Sequence, residues 1–306
     1  MEIKIQEIQL KALGDGYLLG ATLYSLESPP NDAPVVLISS GMAIARQFYG
    51  RFAKFLVSNG VAAVLTYDYR GFGGSLPKGP NPLASLKATI MDFAEKDQPA
   101  AIKYLARTFP MHPLVYIGHS IGGLLFPMAP GRDLITRVLM VSSLTGYWQK
   151  LRNPLRDYFC FQLAHKLMTP WLGYFPSKRL GLFENLPAGV ASEWLQWMSL
   201  RDYIVEDPKR KAEYASFTQP IMAISYSDDE LGKFSAFQET IGWFRGDSMV
   251  WHHVDIPSQT EKHVGHMGFF FESSKNVYWQ DSLQWILHGV RPDKGTSFKN
   301  SVQARL

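Results

Sequence analysis

A serine set between two glycines, Gly118-His119-Ser120-Ile121-Gly122, is the stretch with the clearest chemistry. It follows a short apolar run, Pro113 to Ile117, and leads into Leu124-Leu125-Phe126. That order reads as a buried strand, a sharp turn and a helix, with G-x-S-x-G at the turn. A serine on so tight a turn takes strained backbone angles, and its neighbours two positions away must be small. Gly118 and Gly122 meet that need. Ser120 Oγ is then exposed past the carboxyl end of the strand. The N–H of Ile121 opens the helix, where negative charge is stabilised. Five residues with three fixed positions also describe an ordinary Gly-rich turn, so the partners decide the matter.

A hydroxyl is a weak nucleophile at neutral pH. It needs a base, and the base needs a carboxylate to hold its tautomer. In an open parallel sheet these groups belong just past the carboxyl ends of strands. Asp228 and Asp229 directly follow the apolar run Ile221 to Ser225. Asp229, ahead of the turn into the next helix, is the better placed; Asp228 is the alternative, and it would also suit a helix cap near Lys233. His252 and His253 fall inside a strand pattern and read as structural. His263 and His266 fall in the loop beyond it. His266 is favoured as base, because Gly265 lets the loop approach the sheet and Met267-Gly268-Phe269-Phe270-Phe271 anchors it. His119 points the wrong way on the elbow for a base and reads as packing. An oxyanion needs two converging N–H donors. Ile121 supplies one, and Met42, after Ser40-Gly41 at a strand end, is placed to supply the other.

Other patterns carry less. Asp68-Tyr69-Arg70-Gly71-Phe72-Gly73-Gly74-Ser75 follows a strand but lacks the third glycine and the Gly-Lys-Ser/Thr of phosphate cradles. No H-E-x-x-H or C-x-x-C pattern is present, so no metal is expected. The single cysteine, Cys160, excludes an internal disulfide framework and is expected as a small buried hydrophobe.

The elements that position these residues alternate. Ile3 to Leu10 and Tyr17 to Tyr24 are polar–apolar strands joined by Gly14-Asp15-Gly16, a hairpin signal. Pro34 to Ile38 and Val61 to Thr66 are continuous apolar runs, the mark of strands buried on both faces. Between them a helix is expected from Arg46 to Ser58, with Phe48, Phe52, Phe55 and Leu56 on one stripe. A long helix is expected from Ala84 to Arg107, and a strand from Ile135 to Val141. The alternation stops from Leu144 to Phe217, where Trp148, Phe159, Phe161, Trp171, Tyr174, Phe175, Phe183, Trp194 and Trp197 are broken up by four prolines. This reads as short helices whose aromatic side chains mostly pack on the core, while some line an apolar pocket. It resumes with Pro220 to Ser225, a helix near Lys233 to Ile241, a strand near Met249 to Ile256, a polar loop from Gln259 to Gly268 and a last helix from Val277 to Leu287. Residues after Pro292 are expected to fray. The organisation predicted is a first core part over 1–143, an inserted helical cap over 144–217 and a second core part over 218–306.

With 306 residues, 46% of them hydrophobic, one large core is possible. A net charge of +4 with scattered cations gives no reason to expect nucleic acid. The N-terminus reads as a strand and no run is long enough to span a bilayer, so a cytoplasmic protein without a transmembrane segment is expected.

Together, Gly118-His119-Ser120-Ile121-Gly122, the Asp68–Ser75 loop, the aspartate after Ile224 and Gly265-His266 resemble the α/β-hydrolase superfamily. The likeness is nearest to its serine-aminopeptidase-like and monoacylglycerol-lipase-like branch. Ser40-Gly41-Met42-Ala43-Ile44-Ala45-Arg46-Gln47-Phe48-Tyr49 and Leu172-Gly173-Tyr174-Phe175-Pro176 are similar to a bacterial subgroup of predicted α/β-hydrolases. The resemblance implies an α/β fold: a mostly parallel eight-stranded sheet with helices on both faces, a helical cap after the sixth strand, and no cofactor. The chain departs from many relatives in having Ser40-Gly41 where they carry His-Gly. The function expected is a serine hydrolase of small-molecule carboxylic esters with an apolar acyl or alcohol group, using Ser120, Asp229 and His266 with Met42 and Ile121 as oxyanion donors. The alternatives are an acyltransferase or peptidase on the same residues, or a non-catalytic ligand-binding protein on this scaffold.

Overall fold

Alternating residues Ile3–Lys11 (β1) and Leu18–Leu26 (β2) pair antiparallel, and the turn between them uses Gly14 and Gly16 at φ +85° and +68°. The structure is a computed structural model that describes residues 2–245, 249–257 and 263–291, and the backbone of 302–303. The apolar runs form Val35–Ser39 (β3), Ala63–Tyr67 (β4), Leu114–His119 (β5) and Ile135–Val141 (β6), each almost wholly buried. A short 3₁₀ turn and Gly50–Ser58 (α1) connect β3 to β4. A helical run connects β4 to β5: Ile90–Asp92 (α2), a π turn over Phe93–Asp97, and Gln98–Thr108 (α3). Gly122–Leu125 (α4) follows β5.

Between β6 and the next sheet strand the chain forms Pro154–Leu172 (α5), a two-strand hairpin of Tyr174–Phe175 (β7) and Leu186–Pro187 (β8), then Ala188–Ser199 (α6) and Pro208–Ala215 (α7). The sheet resumes with Ile221–Tyr226 (β9), Phe234–Ile241 (α8), Met249–Val254 (β10) and, after a π turn over Lys275–Trp279, Gln280–His288 (α9). The eight principal strands lie in the order β1-β2-β4-β3-β5-β6-β9-β10. Within the last six of that order neighbours pair parallel, while β2 pairs antiparallel with both β1 and β4. A two-residue strand, Val302–Gln303 (β11), adds to the β10 edge.

Because strand side chains alternate, the sheet feeds two cores. Val35, Leu37, Leu65 and Tyr116 face one, shared with α3, α7 and α8 through Ile102, Tyr214 and Phe237. Val36, Ile38, Val64 and Val115 face the other, shared with α1 and α9 through Phe52 and Trp285. Neighbours β3 and β5 carry chain onward in opposite directions across the sheet, which opens a crevice at their carboxyl ends.

Several expectations are corrected. Residues 84–89 are not helical: the helical run begins at Ile90, capped by the reciprocal Thr89–Asp92 pair and by Glu193, whose Oε2 accepts the Ile90 and Met91 N–H groups at 2.6 and 3.1 Å. The segment 144–217 holds several helices as expected, but the first, residues 154–172, is long, with Pro170 tolerated in its last turn before Gly173 ends it at φ +75°. The β7–β8 hairpin was not anticipated. Cys160 is exposed, as are Phe159, Trp171 and Phe183, because the outer side of α5 and the loop before β8 face solvent. β10 ends at Val254, not Ile256. Of the Gln259–Gly268 loop, residues 259–262 lie outside the described residues, as does the chain beyond Pro292 apart from β11.

Candidate active site

The end of β5 explains Ser120. Its φ is +53°, in the left-handed region that costs an ordinary side chain about 1 kcal/mol or more. The turn is held because Ser120 N–H donates to Val141 O at 2.9 Å. A Cβ on Gly118 would run into Gly123 Cα, and one on Gly122 into Ser39 O. The strand and α4 therefore approach as closely as the G-x-S-x-G spacing suggests. Ser120 itself stays partly exposed.

The loop after β3 lies against this elbow. A Cβ on Gly41 would stand 3.1 Å from His119 Nδ1 and 3.4 Å from Ser120 Cβ. Gly41 N–H donates to Tyr49 Oη at 2.9 Å, and Tyr49 Oη lies 2.9 Å from His119 Nδ1. The His266 carbonyl that faces Nε2 can only accept, so in the neutral ring Nδ1 is the acceptor and the Tyr49 hydroxyl donates to it. His119 then carries its proton on Nε2, which donates to the carbonyl of His266 at 3.0 Å. Burial, with the charge of His266 adding to it, holds the His119 pKa well below the ordinary value, so the ring stays neutral. Three loops are thus tied together by one buried chain of hydrogen bonds. This also shows what holds Gly41 in a protein with Ser40 at the preceding position.

The loop after β9 meets the loop after β10. His266 Nδ1 lies 2.8 Å from Asp229 Oδ2, and both side chains are buried. The other Asp229 oxygen accepts Leu231 N–H at 2.8 Å. Asp228 does something else: it accepts Val264 and Gly265 N–H at 2.8 and 3.0 Å and pairs with His263 Nδ1 at 2.9 Å. It anchors the loop that carries His266 and caps no helix. Burial alone would lower the His266 pKa. The charge of Asp229, its hydrogen bond and the charge of Glu230 together outweigh that and raise it. His252 and His253 are buried in β10, where His253 Nδ1 lies 2.9 Å from Ser225 Oγ.

Ser120, Ile121, Met42 and His266 line one cavity of about 190 Å³. Leu124, Leu144, Leu151, Phe161, Trp194 and Met198 make much of its apolar wall, all but Leu124 drawn from the segment between β6 and β9. The His266 ring lies 5.1 Å from that of His119. Among the described residues no acceptor pairs with the N–H of Met42 or of Ile121. No group of three or more potential metal ligands is found among the described residues.

Sequence reasoning missed three contributors. Glu230 Oε2 accepts His266 N–H at 2.9 Å; the run of three acids at 228–230 was the available signal. Arg152 clamps the acid loop by donating to Asp229 O and Ser227 O, both at 2.7 Å. Tyr49 sits in a helical stripe of aromatics and reads as core, so no signal distinguished it. The Asp68–Ser75 loop is structural: Asp68 pairs with Arg46, Arg70 with Asp97 and Asp15, and Ser75 Oγ donates to Asp68 O at 2.7 Å.

A strained serine at a strand-to-helix elbow, at the crevice of a mostly parallel sheet, defines a class of fold and site. The profile of the alpha/beta hydrolase family matches residues 35–278, and the chain belongs to that family. Among curated proteins none matches. Solved structures similar to it include an esterase from Exiguobacterium antarcticum (13% identity, TM-score 0.61, covering 92% of this chain and 99% of that one). A soluble variant of monoglyceride lipase from Saccharomyces cerevisiae, in complex with a substrate analog, is 14% identical with a TM-score of 0.66 and 94% coverage of both chains. An esterase from Pyrococcus furiosus is 18% identical (TM-score 0.59, covering 93% of this chain and 90% of that one). At these identities the likeness is one of fold.

Proposed function

We propose that the protein is a serine hydrolase of carboxylic esters. The observation that carries this is the shared cavity: Ser120, on its strained elbow, opens into the same space as His266, whose Nδ1 is held by Asp229. In this reading Ser120 Oγ attacks the ester carbonyl while His266 Nε2 takes its proton. Asp229 keeps the proton of Nδ1 in place and stabilises the imidazolium. Met42 and Ile121 N–H receive the oxyanion. The tetrahedral intermediate expels the alcohol, which takes the proton from His266 and leaves an acyl-enzyme. Water, deprotonated by His266, then releases the acid and restores Ser120.

The cavity also speaks to the substrate. At about 190 Å³ it falls below the range of roughly 300–1,000 Å³ typical of sites that enclose a drug-sized ligand. Only one limb of the ester lies inside, against Leu144, Phe161 and Trp194, and the other projects past the rim. Residues 144–217 serve as a cap over the serine, contributing Phe161, Phe183 and Trp194 to the wall. A panel of p-nitrophenyl esters of graded acyl length, run beside amides and thioesters, tests the reading. Short to medium acyl esters should turn over fastest, and Ser120→Ala should abolish turnover and labelling by a fluorophosphonate. Equal rates in variant and parent would reject the assignment.

A further inference from the structure

The outer side of α5 carries Leu155, Phe159, Leu163, Leu167 and Trp171, one at every fourth position. The first four are 58–61% exposed and Trp171 is 90% exposed. Spacing of four on a 3.6-residue helix makes one continuous, slowly winding row. Scattered apolar side chains are normal on a protein surface; a row of five large ones is not. The inner side of the same helix meets the rest of the protein. Phe161 packs on Trp194 at 5.2 Å and, with Asp157, lines the cavity that holds Ser120. So α5 separates that cavity from solvent, and its outer row covers no core.

Charge indicates what the row meets. Arg156 and Lys166 are exposed on α5, Arg152 is exposed just before it, and Lys178 and Arg179 are exposed just after it. Across 152–179 the only acid is Asp157, which is mostly covered and pairs with Arg156 at 2.7 Å. Among the described residues no helix is long and apolar enough to cross a membrane. An exposed apolar row ending in tryptophan and flanked by cations suits the headgroup boundary of an anionic lipid surface. A second copy of the chain fits less well: a two-fold pairing through α5 would bring the same cations face to face.

We propose that α5 docks the protein flat on an anionic phospholipid bilayer, its apolar row at the headgroup–acyl boundary and its cations on the headgroups. This goes beyond ester hydrolysis and does not depend on it, since lipid binding is read without turnover. The test is co-sedimentation with extruded vesicles of phosphatidylcholine alone or mixed with phosphatidylglycerol. The parent should pellet with the anionic vesicles, less with neutral ones, and less again as salt rises. The triple variant Phe159→Ser/Leu163→Ser/Trp171→Ser should lose binding at least about tenfold. Arg156→Gln/Lys166→Gln should lose roughly ten- to thirtyfold, at about fivefold per cation. Melting temperature and turnover of a water-soluble ester should be unchanged in both variants, which separates lost docking from lost folding. A parent that stays in the supernatant with anionic vesicles, or a triple variant that binds as the parent does, overturns the proposal. So does a parent that sediments as a dimer which the triple variant dissociates, because the face then serves self-association.

Discussion

Tyr49→Phe isolates the buried chain that ties the candidate site together. The substitution keeps the ring, which packs edge-on against Phe270 at 4.8 Å and Phe48 at 5.1 Å, and removes only the hydroxyl. Two partners are stranded: the N–H of Gly41 and Nδ1 of His119, both buried and each 2.9 Å from the lost oxygen. A buried polar group left without a partner costs about 1–3 kcal/mol, so the pair should cost about 2–6 kcal/mol. For a chain of this size that lowers the melting temperature by about 3–9 °C. His119 also loses the contact that fixes its tautomer, and with it the reason Nε2–H points at the His266 carbonyl. The loop bearing Met42 and the loop bearing His266 then lose their common tether. On the proposed mechanism kcat should fall about 10- to 100-fold, the scale of a small misplacement of reacting groups, with KM little changed. Thermal melts and ester kinetics on the purified variant provide both readouts. A variant as stable and as fast as the parent would refute the network. A variant that melts early but keeps its kcat would leave Tyr49 a packing residue and refute its positioning role.

The pH dependence has a definite sign. On the proposed mechanism His266 works as base when neutral, and Asp229 and Glu230 outweigh burial to raise its pKa from the ordinary 6.5, so kcat/KM should climb with pH through an ionisation above that value. Glu230→Gln removes one of the raising charges and should move that midpoint down; an unchanged or higher midpoint contradicts the assignment. By linkage, the His266 contribution to stability is complete below its unfolded pKa and fades as pH rises through the folded one. Arg70→Met tests the structural reading of the Gly-rich loop. Arg70 Nε and Nη2 donate to Asp97 Oδ1 at 2.9 and 2.7 Å, while burial raises the Asp97 pKa to about 6 against the pull of Arg70. Stranding that carboxylate should cost about 3–5 kcal/mol in urea unfolding, partly restored by adding Asp97→Asn. A loss under about 1 kcal/mol would reduce the pair to the worth of a surface contact.

What the sequence determined by itself was everything governed by short-range pattern. Continuous apolar runs marked the parallel strands, because a strand covered on both faces has no polar positions. The G-x-S-x-G spacing marked the elbow, because close approach of strand and helix forbids a Cβ at Gly118 or Gly122. The chain order of serine, aspartate and histidine followed from where strands end. Tertiary structure decided the rest, for reasons no local window contains. Asp228 and Asp229 are adjacent and of one type, so the sequence could only rank them; the path of the loop beyond β10 gives one to His266 Nδ1 and the other to the Val264 and Gly265 N–H groups. The helical run starts at Ile90 rather than Ala84 because Glu193, a hundred residues away, reaches its first free N–H groups. And α5 is apolar on nearly every side, so its own pattern could not choose a face. Packing against α6 and the cavity made that choice, which left Cys160 and the Leu155–Trp171 row in solvent.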